Sequence, residues 1–543
     1  MEIITSLYIL FWLGLCEYKL KKSLHIIQLE GYDTERYINW MQNNKEKVHT
    51  ENDKIYVTVL IVFSLILTIF SPLGKKPVYP AIYAGISLIF LFRNIKGGEE
   101  AKKPLVFTKR AKRLFGIGLL LLLFDLIITL LAVKLLSKDI LAYLPLWAGI
   151  LTVIYYFSPY YMYGANYISK PIEDRINNKY YLQASEKIKN MKITSVAITG
   201  SYGKTTTKFI TETILKEKYK VLKTPESYNT PMGISMIINN ELTDDYDIFI
   251  AELGATKSGD IDEVARLVNP KIGIITSIGP CHLETFKSID NIMRTKYELI
   301  ENIPDDGTGV FNYDNTHVKK LADKTFKHKL LYGIDNIEDT DVFATDIHVD
   351  SSGSSFTLCI RSLGTIECRT KLLGRHNILN ILGGAAIASA LGLTLDEIKS
   401  GISKLEAVDH RLQLIDHGTG VLVIDDAFNS NPDGAKAALE VLASFGDKRK
   451  IIVTPGMVEL GSIEETENFR FGEQIAAVCD VAILIGKKRT RPIYQGMKKH
   501  NFNEDNLYVV NSLNEATEVL KGLTRINDVI LFENDLPDTY DEK

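Results

Sequence analysis

Thr194-Ser195-Val196-Ala197-Ile198-Thr199-Gly200-Ser201-Tyr202-Gly203-Lys204-Thr205-Thr206-Thr207 is the stretch on which the reading of the fold turns. Its β-branched start, 194–198, predicts a strand, and the amphipathic pattern over 208–218 predicts a helix after it. A glycine-rich turn closing on Gly-Lys-Thr joins the two. That order is what a phosphate-binding loop needs. Backbone N–H groups and a helix N-terminus cradle phosphates, a lysine neutralises charge, and the next hydroxyl holds Mg²⁺. Gly200, Ser201, Gly203, Lys204, Thr205 and Thr206 are therefore candidate nucleotide-binding residues. The strict G-x-x-x-x-G-K-[ST] spelling is not met, because Ile198 holds the place of the first glycine, so the prediction rests on context.

Downstream, short β-branched runs alternate with amphipathic helical patterns, the signature of a mostly parallel α/β sheet. The apolar run 247–251 ends on Glu252, and the run 272–278 leads to His282. Ligands gather at the carboxyl ends of strands in such sheets, and a carboxylate placed there suits Mg²⁺. Residues 340–372 look like β-hairpins, with strands at 356–360 and 365–368, rather than βα units. A further strand, 421–424, runs into Asp425, Asp426 and Asn429.

Upstream the texture is different. Almost all long apolar runs lie before residue 160, at 56–73, 78–92, 115–136 and 140–157, with a shorter one at 3–16. A bilayer takes about 20 mostly apolar residues, with a lower bound near 17. By that measure the first, third and fourth qualify, 78–92 is marginal, and 3–16 is short. Basic residues crowd two connections: Lys19 to Lys54, and Arg93 to Arg113. By the positive-inside rule both face the cytoplasm, and everything after about residue 158 does too. The run 3–16 has no basic n-region and no small-residue cleavage site, against a signal peptide. Asp125, inside 115–136, is either a functional intramembrane carboxylate or a polar partner within the bundle. A formal net charge of −4 gives no sign of a nucleic-acid partner. The five scattered cysteines form no C-x-x-C pair, which argues against a disulfide framework or a zinc ribbon.

Further motifs follow the phosphate loop in order. They are Tyr228-Asn229-Thr230-Pro231-x-Gly233, Ala251-Glu252-Leu253-Gly254-Ala255, Ile278-Gly279-Pro280-x-His282-Leu283-Glu284 and Lys296-x-Glu298. Then come Gly374-Arg375-His376-Asn377-x-x-Asn380, His410-Arg411 and Asp425-Asp426-x-x-Asn429-x-Asn431-Pro432. Over about residues 192–540 this set resembles the Mur ligases of bacterial cell-wall synthesis. Within that family it is most similar to members that add D-alanyl-D-alanine to UDP-N-acetylmuramoyl-tripeptide.

The resemblance implies an ATP-dependent amide ligase that uses ATP and Mg²⁺. Such an enzyme phosphorylates an acceptor carboxylate and lets an amine attack the acyl phosphate. It implies metal-holding roles for Thr205, Glu252, His282 and Lys296, the last being carbamylated in the family. It implies that Asn377 and Asn380 flank the adenine and that Arg411 reaches the transferring phosphate. Asp425, Asp426 and Asn429 would lie where a mobile C-terminal domain closes over nucleotide and amine. Lys204, Glu252, His282, Lys296, Arg411 and Asp426 form the expected catalytic set.

Two features limit what carries over. The stretch Thr454-Pro455-Gly456-Met457 departs from the family's Gly-Asp-Met form, leaving the amine open between an amino acid and D-Ala-D-Ala. Soluble members bind a uridine nucleotide with an N-terminal domain, and here apolar helices stand in its place. The acceptor is thus a muramoyl peptide in UDP-linked or lipid-linked form. The expected location is the plasma membrane, with other cell-wall synthesis proteins as further partners. The alternatives are a ligase for another acceptor, such as poly-glutamate, and a nonenzymatic membrane scaffold. The expected architecture is α/β after a transmembrane domain of about four or five helices over 1–165 and a linker over 166–190. A central P-loop parallel-sheet ATPase domain with a small β subdomain spans 191–408. A C-terminal doubly wound domain spans 409–543, and its acidic end, 535–543, is expected to be disordered.

Overall fold

The structure is a computed structural model that describes residues 2–70, 78–96, 103–136, 143–226, 228–281, 283–428 and 430–536. It divides into two compact units between Ile176 and Asn177.

The first unit is helical. Four helical stretches, Ile3–Leu29, Glu51–Ile69, Val78–Lys96 and Lys109–Leu135, are long and apolar enough to cross a membrane. Their outward faces carry exposed Ile66, Ile69, Leu120, Phe124, Ile127 and Leu131, the pattern expected where apolar surface is meant for a nonaqueous partner. The first of them is longer than the run 3–16, because Lys19 is buried with Asp53 at 3.4 Å and does not end the span. The run 140–157 falls only partly within the described residues. Residues 140–142 lie outside the described residues, and the helix Leu144–Asn190 is not among the four. The same helix continues through Pro159 and Pro171, so residues 166–190 are helical throughout. Asp125 accepts a hydrogen bond from the Tyr161 hydroxyl, which favours the polar-partner reading.

The second unit holds two sheets. In the first lie β1 (Thr194–Thr199), β2 (Val221–Lys223), β3 (Ile248–Glu252), β4 (Ile272–Ile275), β5 (Thr308–Asn312) and β6 (Lys329–Gly333). It also includes β7 (Val342–Asp350), β8 (Gly353–Ile360) and β9 (Gly364–Thr370). Their order is β2-β3-β1-β4-β5-β6-β7-β8-β9, parallel as far as β7 and antiparallel beyond it. The hairpins are present as expected, but they extend the main sheet through the Tyr332–Val342 register. β1 and β3 are central and buried almost throughout, as continuous apolar runs in a parallel sheet require.

The helix Lys204–Leu215 starts earlier than its apolar periodicity predicts, because Gly203, at φ 78°, turns the chain straight into it. Two further helices, Arg375–Ala390 and Leu395–Ser403, close on this helix through glycines. A β-carbon on Gly401 would lie 2.6 Å from Ile214 Cα, and one on Gly384 would lie 2.9 Å from Ile210 Cγ2. A capping box, Thr394 with Glu397, fixes where the second of them begins.

The second sheet comprises β10 (Gln413–Asp416), β11 (Leu422–Asp426), β12 (Arg449–Thr454), β13 (Val481–Ile485), β14 (Leu507–Val510) and β15 (Asp528–Glu533). Its order is β10-β11-β15-β12-β13-β14, with only β10 antiparallel. Residues 537–543 of the acidic end lie outside the described residues.

Gly401→Ala should destabilise the second unit by about 1–3 kcal/mol, since its new methyl group meets backbone rather than a flexible side chain. Chemical unfolding of the full chain in detergent checks this, and an unchanged midpoint would contradict the helix contact.

Candidate active site

The site is assembled at the carboxyl edge of the first sheet. After β1 the chain turns at Gly200, where a β-carbon would collide with Thr276 Oγ1 at 2.1 Å. This closeness lets the phosphate loop bond directly to the loop after β4. Ser201 N donates to Ser277 O at 2.7 Å, and the Thr276 hydroxyl donates to Tyr202 O at 2.5 Å. Gly279 N donates to Ser201 Oγ at 3.1 Å. Lys204 Nζ reaches back over the loop to the carbonyls of Gly200 and Ser201, at 2.8 and 3.0 Å. Thr205 and Thr206 follow in the first helical turn, Thr205 buried and Thr206 partly exposed.

Glu252 ends β3 with 1% of its surface exposed. Lys208 Nζ lies 3.0 Å from its Oε2, Asn229 Nδ2 donates to Oε1 at 3.3 Å, and the Thr205 hydroxyl lies beside its carboxylate. Burial pushes the Glu252 carboxyl up, but Lys208 and then Lys204 outweigh it and hold the group below the usual carboxylate range. Lys296, on the helix Ile289–Asn302, is buried rather than solvated. Burial, helped by the nearby charge of Lys204, lowers its ammonium to about 7. Lys204, Asn229, Cys281 and Lys296 line a cleft of about 300 Å³ beside the loop.

The second sheet contributes Arg411, whose Nη2 donates to Thr205 Oγ1 at 3.4 Å and whose guanidinium lies 4.2 Å from the Phe428 ring centre. The residues on either side, His410 (φ 60°) and Leu412 (φ 46°), are left-handed. Such backbone costs about 1–3 kcal/mol per residue and needs support from its surroundings. Asp425 and Asp426 give it. Asp425 Oδ2 is 2.7 Å from His410 Nδ1, and Leu412 N donates to Asp426 Oδ1 at 3.2 Å. Burial raises the Asp426 carboxyl to about 6, against the pull of Arg411.

Of the expected site residues, Gly200, Ser201, Gly203, Lys204, Thr205, Glu252, Lys296 and Arg411 come together here. Asn380 joins them by accepting from Thr207 Oγ1 at 3.3 Å beside Gly203. Asn377 is buried in its own helix start and donates to Leu373 O at 2.9 Å. Asp425 and Asp426 act on the turn that carries Arg411. His282 and Asn429 lie outside the described residues.

Two groups were not foreseen. Lys208 is fully buried, though its spacing of one helical turn from Lys204 was a usable signal. Glu533, at the end of β15, accepts hydrogen bonds from the Ser430 hydroxyl and from Thr454 Oγ1, and burial raises its carboxyl to about 7. An acid closing the apolar run 529–532 was its signal.

Among the described residues, no three His, Cys, Asp or Glu side chains group as a metal cage. The Glu252 carboxylate and Thr205 hydroxyl are hard oxygen donors, and they fit a Mg²⁺ ion that completes its shell with phosphate oxygens and water.

Comparison with known proteins agrees with this geometry. Residues 198–388 match the Mur ligase middle domain, and residues 410–533 match the Mur ligase, glutamate ligase domain. The UDP-N-acetylmuramoyl-tripeptide–D-alanyl-D-alanine ligase of Escherichia coli (strain K12) is 35% identical over 54% of this chain and 64% of its own length. The chain thus spans less than two thirds of that relative. The ligase of the same name from Buchnera aphidicola is 30% identical over 58% of this chain and 68% of its own length. A MurF ligase from Thermotoga maritima, solved in complex with ADP, superposes with a TM-score of 0.59 at 25% identity, covering 66% of this chain and 80% of that one.

The raised Glu533 carboxyl fixes a sign. The folded state holds its proton more tightly than the unfolded state, so its contribution to stability falls as pH rises from the ordinary glutamate range through about 7. Fully developed, the loss is roughly 3 kcal/mol. Thermal melting of Glu533→Gln should therefore decline less between pH 5 and pH 8 than that of wild type; parallel declines would count against a buried, protonated Glu533.

Proposed function

Because the chain belongs to the Mur ligase family, we propose that it is an ATP-dependent amide ligase of peptidoglycan-precursor synthesis, held at the cell membrane by its N-terminal helices. The observation that carries this is the meeting of Arg411, from the second sheet, with Thr205 beside Glu252. A phosphate loop alone supports nucleotide binding. An arginine brought to the same hydroxyl from a second sheet supports transfer of the terminal phosphate.

In this reading the loop N–H groups and Lys204 bind the ATP phosphates, and Arg411 neutralises charge on the phosphoryl group as it moves. Mg²⁺, held by Glu252 and Thr205, would supply further charge neutralisation between the phosphates. The acceptor carboxylate oxygen attacks the terminal phosphorus, and ADP leaves as the bridging P–O bond breaks. The amine nitrogen then attacks the acyl carbon, inorganic phosphate leaves with its oxygen, and the nitrogen loses a proton. Lys296 is buried, and its ammonium is lowered enough for a neutral amine to be present near pH 7. Neutral Nζ adding to carbon dioxide, with release of a proton, would give the carbamate that the family carries there.

The relatives' names point to a muramoyl-tripeptide acceptor and D-Ala-D-Ala as amine. The four apolar helices favour a lipid-linked form of that acceptor over a free UDP-linked one. They also support a cytoplasmic ligase unit, through the basic connections between them.

Phosphate release by the detergent-solubilised chain, screened over UDP-muramoyl and lipid-linked peptides with D-Ala-D-Ala or amino acids, tests the reaction. Turnover should need both acceptor and amine and fall by about 100-fold or more in Lys204→Ala. Release without dependence on any acceptor would defeat the ligase reading. For orientation, a cysteine introduced at Lys109 in a chain otherwise lacking exposed thiols should react with an impermeant maleimide only after cell lysis. Labelling of intact cells would reverse the topology.

A further inference from the structure

We propose that Lys208 is a positioning residue that aims the Glu252 carboxylate and thereby sets the affinity for Mg²⁺-bound nucleotide, an inference that rests on the ligase reading for the identity of the ligand. Its side chain has no exposed surface, so it does not reach a nucleotide in the cleft. Instead its ammonium bridges two elements. Nζ lies 3.0 Å from Glu252 Oε2, and it also donates to the carbonyl of Glu226, a residue bent into the left-handed region at φ 36°.

The same stretch of chain returns to Glu252 from the other side. Asn229 Nδ2 donates to Oε1 at 3.3 Å, while Asn229 O accepts from Gly254 N at 3.0 Å. A β-carbon on Gly254 would lie 2.7 Å from Asn229 Cγ, so this contact leaves no slack. One carboxylate oxygen is thus held by Lys208 and the other by Asn229. Thr205, three residues before Lys208 on the same helix, places its hydroxyl beside the carboxylate. The carboxylate is fixed in rotation relative to the Thr205 hydroxyl, the arrangement a metal shared by the two needs.

Packing alone does not call for this pair. Replacing a buried ion pair by apolar side chains is often neutral or stabilising. What an apolar side chain cannot do is grip one oxygen of Glu252 while Asn229 holds the other. The second grip, on the Glu226 carbonyl, ties that aim to the chain leading into Pro231 at the cleft wall.

The test is equilibrium binding of the methylene ATP analogue AMP-PCP to the full-length protein in detergent, with Mg²⁺ and with EDTA. Lys208→Met should weaken Mg²⁺-dependent binding by about tenfold or more, the range typical for partners that orient a metal ligand. Binding in EDTA should change by less than about threefold, because Lys208 does not touch the nucleotide. In a Glu252→Gln background the Mg²⁺-dependent cost of Lys208→Met should vanish. If Lys208→Met does not fold, Lys208→Gln, which keeps a donor for Glu226, is read in the same cycle. Unchanged affinity, equal losses with and without Mg²⁺, or additive costs in the double variant would each overturn the proposal. A wild-type chain that binds Mg²⁺ and AMP-PCP but turns over no acceptor would overturn the ligase reading and leave this cycle readable.

Discussion

The site depends first on one close approach of backbone to backbone. Only a residue without a β-carbon fits at Gly200, and the phosphate loop therefore lies directly on the loop after β4. Hydrogen bonds from Ser201, Thr276 and Gly279 then make the two loops one layer. The helix Lys204–Leu215 springs from that layer, so its early residues are delivered to the end of β3 with little freedom. Gly384 and Gly401 do for the far side of this helix what Gly200 does for its start. Tight contacts at Gly200, Gly384 and Gly401 together fix where Lys204 and Thr205 stand.

Much of this is legible in the sequence, and the legible parts share a cause. β1, β3 and β4 are continuous apolar runs, and a parallel sheet forces the residue after each run to the carboxyl edge. Glu252 can be placed by that argument alone. Lys208 cannot. A lysine on an amphipathic helix reads as solvated until it is known which face meets Glu252, and that contact is nonlocal. Lys296 is hidden for the same reason. Asp425 and Asp426 are visible as a strand end, but their grip on His410 and Leu412 depends on a left-handed turn with no glycine to announce it. In the helical unit, hydropathy undervalues Ile3–Leu29 because Lys19 reads as a stop, while its partner Asp53 sits on another helix.

The turn around Arg411 shows how the two sheets are made to cooperate. Left-handed positions on both sides of one residue are an expensive way to present its side chain. The cost is offset by two carboxylates at the end of β11, and the ring of Phe428 holds the guanidinium from one side. The result is an arginine whose direction is set by the second sheet and whose hydrogen bond is made to the first.

Lys204, Lys208 and Arg411 all feel Glu252 through partly desolvated surroundings. Gathering that much positive charge leaves mutual repulsion stored in the folded state, and a polyanion seated among the cations relieves it. A nucleotide bound there would be a thermodynamic component of the fold, because whatever binds only the native state shifts the unfolding equilibrium in its favour. If ATP is that polyanion, as the proposed function has it, energy depletion in the cell would be felt as lost protein as well as lost turnover.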